Sequence, residues 1–401
     1  MLNLGSFSKT TLNMNGDIPV LCPITKVPLS EFRPCPPEEL DEISEWLMRR
    51  ESGDIRREFL RGIVDCERLD LCKQSLGPNG AQRILRALDG NRKIRSLLMG
   101  TDGLGDVGAK SVADAMKRNG NLETIYLGCN GITAAGVGPL CEAIESGSGT
   151  AALWLKRNPI GLDGAARVAQ MLARPHSLRT LDLVNTGISD DGACQILRTI
   201  IKSPQRLERL YLGGNGLTVT STPIIAELLA SCPGIRALYL STNLLLNEGA
   251  NELAGGFSGN RTLQEFSLAS NGLTSSECAT FFKALRHLSS LTFLDLGSTP
   301  SAKVLGAPEN QLGGDAIETL ASSIRDMPEL RALSLRDSSI DAESATRILD
   351  ACESRTKPDC VVNLHGNPCS RRVRKRSASL AQASERFPEA PDVRAIRSAV
   401  R

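Results

Sequence analysis

The sequence is poor in aromatic residues, which make up 3% of its 401 residues and include three tyrosines and two tryptophans. No apolar run approaches the roughly 18 residues that a membrane span needs. The formal net charge is +2, so no overall field favours nucleic acid or a membrane surface. The first residues lack a charged start followed by an apolar core, and no secretory signal is evident. We therefore expect neither a membrane partner nor a nucleic-acid partner.

Chemistry-bearing side chains are also sparse or scattered. The three histidines fall far apart in the sequence, and Cys22 and Cys35 in the N-terminal region form no C-x-x-C pair. Twelve cysteines in a chain of this size without a secretory signal are better interpreted as reduced thiols than as a disulfide framework. The sequence thus predicts a cytoplasmic protein with no metal, no cofactor and no recognisable catalytic set.

A nine-residue pattern recurs along the chain, and residues 122–130 show it most clearly as Leu-Glu-Thr-Ile-Tyr-Leu-Gly-Cys-Asn, a form of L-x-x-L-x-L-x-x-N. Its alternating apolar residues predict a short strand with one buried face. Each copy is followed by a segment with helical spacing, and most copies begin about 28 residues apart. The central apolar position falls at Leu69, Leu97, Ile125, Leu153, Leu181, Leu210, Leu238, Phe266, Leu294, Leu333 and Val362.

The repeats define the organisation of the chain. We predict an irregular N-terminal segment at 1–36, a helical cap at 37–65, repeats at 66–370 with an insertion at 299–309, and a basic tail or cap at 371–401. The cap would consist of a helix opened by Pro37 and a second short helix near 54–60. After the insertion, Asn310 resumes the repeat pattern.

This pattern resembles the ribonuclease-inhibitor-like subfamily of leucine-rich repeats, whose long units carry a helix. The resemblance implies an α/β leucine-rich-repeat solenoid: a right-handed horseshoe of about 11 repeats with a parallel concave sheet and convex helices. Stacked strands lie about 4.8 Å apart whereas packed helices need about 8–10 Å, so the strands should line the inside of an arc. Similar repeats occur in ribonuclease inhibitor, in the GTPase-activating protein of Ran, in NLR immune receptors and in bacterial effectors.

The predicted concave face is where a partner would bind. All three tyrosines and one of the two tryptophans fall at its central positions, and Tyr, Trp and Arg are the residues that dominate interface energetics. The predicted protein-binding residues are Tyr126, Trp154, Asp182, Tyr211, Tyr239, Arg157 and Arg209. The alternative is that exposed aromatic residues merely suit strands.

Two other motifs have repeat or surface explanations. Residues 103–108 match G-x-G-x-x-G between a strand and a helix, as in a dinucleotide site. However, glycines recur at the same repeat positions, so the repeat itself explains the match. The basic run Arg371–Arg376 could direct nuclear import or bind an anionic surface, or it could be part of a solvated cap on the last repeat.

These observations predict a non-enzymatic scaffold or sensor that binds a protein on its concave face, acting as a monomer. The alternatives are a GTPase-activating protein similar to that for Ran, and a leucine-rich-repeat effector or immune-type regulator. The basic C-terminus counts against the first alternative, since that family carries an acidic C-terminal region.

Overall fold

The computed structural model describes residues 19–20, 31–50, 56–203, 206–274, 277–314, 316–357, 359–383 and 390–396. They form two compact units. The N-terminal unit contains the described residues of Cys22–Ile188, Lys202–Leu210 and Pro388–Arg401, and the C-terminal unit contains those of Met1–Leu21, Ser189–Ile201 and Tyr211–Phe387. The predicted repeat region, 66–370, is therefore divided between two units.

Short strands alternate with helices throughout. The strands are β1 Arg57–Phe59, β2 Gly62–Asp65, β3 Arg68–Asp70, β4 Ser96–Leu98, β5 Thr124–Tyr126, β6 Ala152–Trp154, β7 Thr180–Asp182, β8 Arg209–Tyr211, β9 Ala237–Tyr239, β10 Glu265–Ser267, β11 Phe293–Asp295, β12 Ala332–Ser334 and β13 Val361–Asn363. The helices are α1 Asp41–Arg49, α2 Gly77–Ala87, α3 Gly105–Arg118, α4 Ala134–Glu145, α5 Gly161–Leu172, α6 Ser189–Lys202, α7 Thr222–Ser231, α8 Leu246–Leu253, α9 Ala279–Ala284, α10 Ala302–Leu305, α11 Ala316–Arg325, α12 Ala342–Glu353, α13 Arg371–Ala383 and α14 Pro391–Ala395. None of the described helices is both long and apolar enough to cross a membrane.

The repeat strands pair in parallel and in chain order within each unit. Strands β3 to β7 do so in the N-terminal unit, and β9 to β13 do so in the C-terminal unit. Every central apolar position predicted from the repeat lies in the middle of its strand and is at most 2% exposed. The predicted register and the α/β repeat fold are therefore confirmed. We call the sheet face that points away from these apolar residues the front face.

The repeat asparagine joins neighbouring repeats. Asn158 accepts hydrogen bonds at Oδ1 from the backbone N–H groups of Asn130 (2.9 Å) and Ile132 (3.1 Å). Its Nδ2 donates to the carbonyl oxygens of Leu127 (2.9 Å) and Leu155 (2.8 Å). Each of these buried backbone groups would otherwise cost about 1–3 kcal/mol. One side chain thus satisfies the turn that ends a strand in two consecutive repeats.

The N-terminal cap differs from the prediction. A turn of 3-10 helix at Pro37–Leu40 leads into α1, whose apolar side buries Ile43 and Leu47. The prediction of a second short helix near 54–60 is wrong over the described residues. Strands β1 and β2 form an antiparallel hairpin there, and β2 pairs with β3. The hairpin covers the edge of the first repeat strand with hydrogen-bonded backbone, which a helix would leave unpaired.

Residues 31–36 are the main described part of the predicted irregular segment. The Cys35 N–H donates to the Ser75 carbonyl oxygen (2.7 Å), and Phe32 lies against Gly103. A Cβ atom on Gly103 would stand 2.6 Å from the Phe32 ring. Gly103, the first glycine of the G-x-G-x-x-G match, is thus covered by an aromatic ring. Cys22 and most of the segment lie outside the described residues.

The insertion at 299–309 packs on the preceding repeats of the C-terminal unit. The hydroxyl groups of Thr299 and Thr242 are hydrogen-bonded at 2.8 Å, and Ala302 in α10 is fully buried. Asn310 then donates to the carbonyl oxygens of Leu268 (3.0 Å) and Leu296 (2.9 Å), as the repeat asparagines do. The ladder of asparagines therefore continues across the extra residues.

The basic run belongs to helix α13, which packs on the last repeat. Val373 and Ser377 are 7% and 9% exposed, and the Ser377 hydroxyl donates to the Val362 carbonyl oxygen. Arg376 forms ion pairs with Asp350 (2.6 Å) and Glu353 (2.5 Å) of α12. The described part of 371–401 thus includes a helix that covers the end of the ladder.

Candidate functional site

The front face of the N-terminal unit carries one in-register row of side chains. Strand pairing places Asp70, Leu98, Tyr126, Trp154 and Asp182 side by side from β3 to β7. We expected the aromatic side chains of this row to be open to solvent. Instead Tyr126 is 4% exposed, Trp154 is 3% exposed and Asp182 is 2% exposed. The expectation of an exposed patch is therefore wrong for these three predicted residues.

Small residues make room for the Tyr126 ring. A Cβ atom on Gly100 would stand 2.3 Å from the ring, and one on Gly128 would stand 2.9 Å from its hydroxyl oxygen. The ammonium group of Lys156 lies 5.5 Å from the ring centroid, at cation–π distance. Burial also raises the pKa of the Tyr126 hydroxyl, which keeps it neutral. Tyr126 thus packs closely against Gly100 and Gly128.

Asp182 is a buried carboxylate at the end of the same row. Burial raises its pKa to about 6, while the charges of Lys156 and Arg157 and the N–H of Val184 oppose that rise. The Val184 N–H donates to Oδ1 at 2.8 Å. Arg157, another predicted site residue, is half-buried and adopts a left-handed backbone (φ 58°) in the turn after β6. The buried Asp182 carboxylate is thus partly balanced by two half-buried cations.

Arg209 occupies the first front-face position of β8 and is half-buried. Its backbone N–H donates to the Arg179 carbonyl oxygen at 2.9 Å, which fixes the start of the strand. The position agrees with the face predicted for it.

The β1–β2 hairpin bounds a cavity of about 380 Å³ beside the first repeat. Its lining residues are Glu58, Phe59, Leu60, Gly62, Ile63, Asp70, Cys72, Lys73 and Gln74. The hairpin supplies its apolar wall, while the repeat supplies Asp70 and the turn that follows. This feature could not be expected from a helical cap.

The C-terminal unit presents its predicted aromatic residues differently. Tyr211 and Tyr239 are both half-buried and stack with their ring centroids 4.5 Å apart and an interplanar angle of 15°. The Tyr239 hydroxyl donates to Glu265 Oε2 at 2.6 Å. Phe293, also half-buried, has its ring centroid 6.3 Å from that of Tyr239. The front face of this unit therefore displays a cluster of rings.

Carboxylates accompany these rings. Asp295 accepts from the Gly297 N–H at 3.1 Å and from the Ser267 hydroxyl at 3.3 Å, and burial raises its pKa. Glu265 and Phe293 are the first residues of β10 and β11. Each lies on the front face, one position before the buried ladder residue of its strand. Our list of predicted binding residues omitted Glu265, Phe293 and Asp295. The alternation of each strand could have identified them, since both flanking positions point to the same face.

Metal chemistry has no candidate ligands here: among the residues that the structure describes, no group of three or more His, Cys, Asp or Glu side chains could hold an ion. The eleven cysteines in the described ranges are free thiols. Seven of them, including Cys141 in α4 and Cys352 in α12, are buried. These buried thiols act as small core residues.

Comparison with known proteins gives a local match of the repeats. Residues 118–141 and 174–193 match the family model described as a leucine-rich repeat. A comparison with curated protein sequences finds no match.

Among solved structures, the chain is similar to an internalin from Listeria monocytogenes, with 14% identity and a TM-score of 0.43 over 92% of this chain and 100% of that one. It is also similar to actin-binding site 2 of leiomodin-1, with 16% identity and a TM-score of 0.33 over 40% of this chain and 86% of that one. For the tropomodulin C-terminal domain from Caenorhabditis elegans, identity is 13% and the TM-score is 0.30, over 47% of this chain and 90% of that one.

The repeat match, the parallel ladder in each unit and the asparagines that join its turns agree with one another. Repeats of this kind offer extended surfaces and serve in general as scaffolds for protein interactions. The fold of this chain is an α/β leucine-rich-repeat solenoid.

Proposed function

We propose that the chain is a non-enzymatic scaffold that binds a protein partner through the front face of its repeats. The observation that supports this proposal best is the stacked pair Tyr211 and Tyr239 in the C-terminal unit. Both residues are half-buried, so part of their surface stays accessible, in a chain whose aromatic content is 3%. Rigid aromatic side chains supply large contact area at low entropic cost, and they are typical anchors of interfaces.

Because other predicted residues are buried, we place the centre of the proposed binding surface in the C-terminal unit. Tyr126, Trp154 and Asp182 are almost completely buried, so they offer little surface to a partner, and the two aromatic side chains contribute to the stability of the N-terminal unit. We propose the Tyr211–Tyr239 pair, with Glu265 and Phe293, as the centre of the binding surface. Arg157 and Arg209, which are half-buried, remain candidates for contacts in the N-terminal unit.

The test compares two double variants in affinity capture from native lysate. Tyr211→Ala/Tyr239→Ala removes the stacked pair, and Val107→Ala/Leu162→Ala removes two exposed apolar side chains (67% and 49% exposed) from the N-terminal unit. We expect the first variant to lose the partner by about tenfold or more and the second to retain it.

Both variants should keep the wild-type circular dichroism spectrum, so that lost capture reports binding and not unfolding. A partner that remains bound to a folded Tyr211→Ala/Tyr239→Ala protein would contradict the proposal. Catalysis is tested separately by incubating the wild-type chain with GTP-loaded small GTPases, for which we expect no acceleration of hydrolysis. The described residues offer no observation in favour of that activity.

A further inference from the structure

Helix α13 concentrates positive charge on its outer side. It contains five cations and no aspartate or glutamate. Val373 and Ser377 lie four residues apart and are buried against the last repeat. At about 3.6 residues per turn, Arg371 and Lys375 each stand roughly half a turn from Val373, and both are exposed. The cations therefore lie on the side of the helix that faces away from the repeats.

Only one of the five cations is paired within the fold. Arg376 forms ion pairs with Asp350 (2.6 Å) and Glu353 (2.5 Å) of α12. The other four are exposed, and none of them forms an ion pair with any residue that the structure describes. We call these four the basic face: Arg371, Arg372, Arg374 and Lys375.

The position of the basic face at the start of α13 is electrostatically unfavourable. The N-terminus of a helix carries the positive end of its dipole and favours negative charge. Arg371, Arg372 and Arg374 nevertheless lie in the first turn of α13. Like charges one turn apart, as at Arg371 and Lys375, repel each other as well. An anionic group bound at this end of the helix would relieve both repulsions.

A membrane surface fits this face poorly. Helices that bind at a membrane surface insert apolar side chains such as Trp, Phe or Leu. Between 371 and 379, the exposed residues besides the basic face are Ala378 and Ser379. Asp350 and Glu353 border the helix through Arg376, and a broad anionic surface would approach them with charge of the same sign.

Nucleic acid fits less well than an acidic protein segment. Single strands stack their bases on aromatic side chains, and α13 contains none. A duplex is a wide, rigid array of phosphates, for which the carboxylates of α12 are again unfavourable neighbours. A narrow and flexible chain of carboxylates can follow α13 alone. Arginine supplies three of the four cations, and its guanidinium group donates in a fork that matches a carboxylate.

We propose that the basic face of α13 binds an acidic segment of a partner protein, rich in aspartate and glutamate, by charge complementarity. The carboxylates pair with the guanidinium groups of Arg371, Arg372 and Arg374 and with the ammonium group of Lys375. None of these residues belongs to the front face, so this is a second contact surface and does not depend on the proposed function. Exposed ion pairs are individually weak and are screened by salt, so binding requires several of them together.

The probes are two fluorescently labelled peptides of equal length, in which serine alternates with glutamate or with glutamine. Each is titrated against the full chain at about 50 mM and about 300 mM salt and followed by anisotropy. We expect the glutamate peptide to bind at the lower salt concentration and to lose affinity by roughly tenfold or more at the higher one. The glutamine peptide should not bind. Equal binding of the two peptides would overturn the proposal.

The basic-face variant replaces all four cations by glutamine: Arg371→Gln/Arg372→Gln/Arg374→Gln/Lys375→Gln. We expect it to lose affinity for the glutamate peptide by about tenfold or more. It should keep the wild-type circular dichroism spectrum and melting temperature, because Val373 and Ser377 still pack on the last repeat.

The matched control changes the net charge equally, through three arginines and one lysine that are exposed at scattered places in the N-terminal unit: Arg86→Gln/Arg92→Gln/Arg174→Gln/Lys110→Gln. We expect it to bind the glutamate peptide as the wild type does. Equal losses in the control and in the basic-face variant would show that overall charge attracts the peptide, and would overturn the proposal.

Competition identifies the class of partner. Duplex DNA, vesicles of phosphatidylcholine and phosphatidylserine, and unlabelled glutamate peptide are each used to displace the labelled glutamate peptide. We expect the unlabelled peptide to displace it at the lowest concentration of anionic groups. Displacement by DNA or by vesicles at a lower concentration would overturn the choice of a protein segment.

Tyr211→Ala/Tyr239→Ala separates this contact from the front face. We expect that variant to bind the glutamate peptide as the wild type does, because both rings lie in β8 and β9 and not in α13. Loss of the peptide would place it on the front face and overturn the proposal. Peptide binding that is retained while capture of a partner from lysate fails would contradict the front-face function alone.

Discussion

The side-chain Nδ2 of Asn130 donates a hydrogen bond of 2.7 Å to the carbonyl oxygen of Met99 in the preceding repeat. The same nitrogen donates to Leu127, and Oδ1 accepts from the N–H groups of Asp102 and Leu104. Asn130 is fully buried, so water cannot replace any of these partners. The joint between two repeats therefore depends on one amide side chain.

Replacing this amide should be costly. We expect Asn130→Ala to lower the free energy of unfolding by about 3 kcal/mol, because each buried group left without a partner costs about 1–3 kcal/mol. Urea denaturation followed by circular dichroism is the measurement. Asn121→Ala is the control, since Asn121 is half-buried and donates at a more exposed site to Arg92. Equal loss in both variants would contradict the role assigned to Asn130.

Asp102 holds the asparagine position one repeat earlier and makes a pH-dependent contribution. Its Oδ1 accepts from the Gln74 N–H at 2.8 Å, but its buried Oδ2 has no hydrogen-bond partner. An asparagine there would donate from Nδ2 to a carbonyl oxygen, as Asn130 does. Burial raises the Asp102 pKa well above its ordinary value. Burial therefore favours the neutral carboxyl group, which can donate from Oδ2, over the charged one.

Because the pKa of Asp102 is raised on folding, the folded protein binds its proton more tightly than the unfolded chain. Its stabilising contribution is present below the unfolded pKa of about 3.9 and is lost as the pH rises through the folded pKa. We expect Asp102→Asn to stabilise the protein near pH 7 by about 1–3 kcal/mol. The gain, measured by urea denaturation, should shrink as the pH falls towards about 4. A gain that is constant with pH would contradict a raised pKa.

Aromatic residues of the two units should differ in their contribution to the free energy of unfolding, because they differ in burial. Trp154 is 3% exposed, so Trp154→Ala should lower the free energy of unfolding by about 3–5 kcal/mol. Tyr239 is only half-buried, and Tyr239→Ala should cost clearly less, about 1–2 kcal/mol. Thermal and urea denaturation of the two single variants check this. A Trp154→Ala protein as stable as wild type would show that the indole is not part of the core.

Gly100 and Tyr126 should be energetically coupled. A Cβ atom at position 100 would stand 2.3 Å from the Tyr126 ring, so Gly100→Ala should cost about 1–3 kcal/mol through overpacking. In a Tyr126→Ala background the same substitution should cost much less, because the obstructing ring is gone. A double-mutant cycle by urea denaturation measures the difference. Additive effects would contradict the contact.

The exposed charges of α13 can be changed without removing the cap. Arg371, Arg372, Arg374 and Lys375 are exposed, whereas Val373 and Ser377 pack on the last repeat. Replacing the four exposed cations by glutamine should therefore leave the melting temperature nearly unchanged, and we expect a cytoplasmic distribution in both forms when the proteins are imaged in cells. A nuclear wild type that becomes cytoplasmic on substitution would establish the run as an import signal.

The local sequence pattern was sufficient to predict the repeat ladder. Leucine at alternating positions and asparagine at the strand end recur at a near-constant spacing, and each unit buries its apolar residues on its neighbours. For this reason Leu69 and Val362, near the two ends of the array, could both be placed in the middle of a strand. The asparagine at position 310 could likewise be aligned across the insertion.

The exposure of the front face depended on contacts that the repeat pattern does not encode. Tyr126 and Tyr239 occupy the same repeat position, yet the first is 4% exposed and the second is only half-buried. Gly100 and Gly128 let the Tyr126 ring lie against backbone, whereas Tyr239 stacks on Tyr211 and donates to Glu265. Side-chain direction within a sheet follows from alternation, but burial depends on which neighbours fill the space above it.

The sequence by itself determined the α/β repeat fold, the strand register and the face on which Tyr211 and Tyr239 lie, because these depend on periodicity and on the hydrogen-bonding capacity of asparagine. Only the tertiary structure decided that the stretch from Arg57 to Asp65 pairs as strands, that Trp154 and Asp182 belong to the interior, and that Glu265 joins the exposed rings. These outcomes depend on the packing of residues distant in sequence, whose combined free energy no local pattern contains.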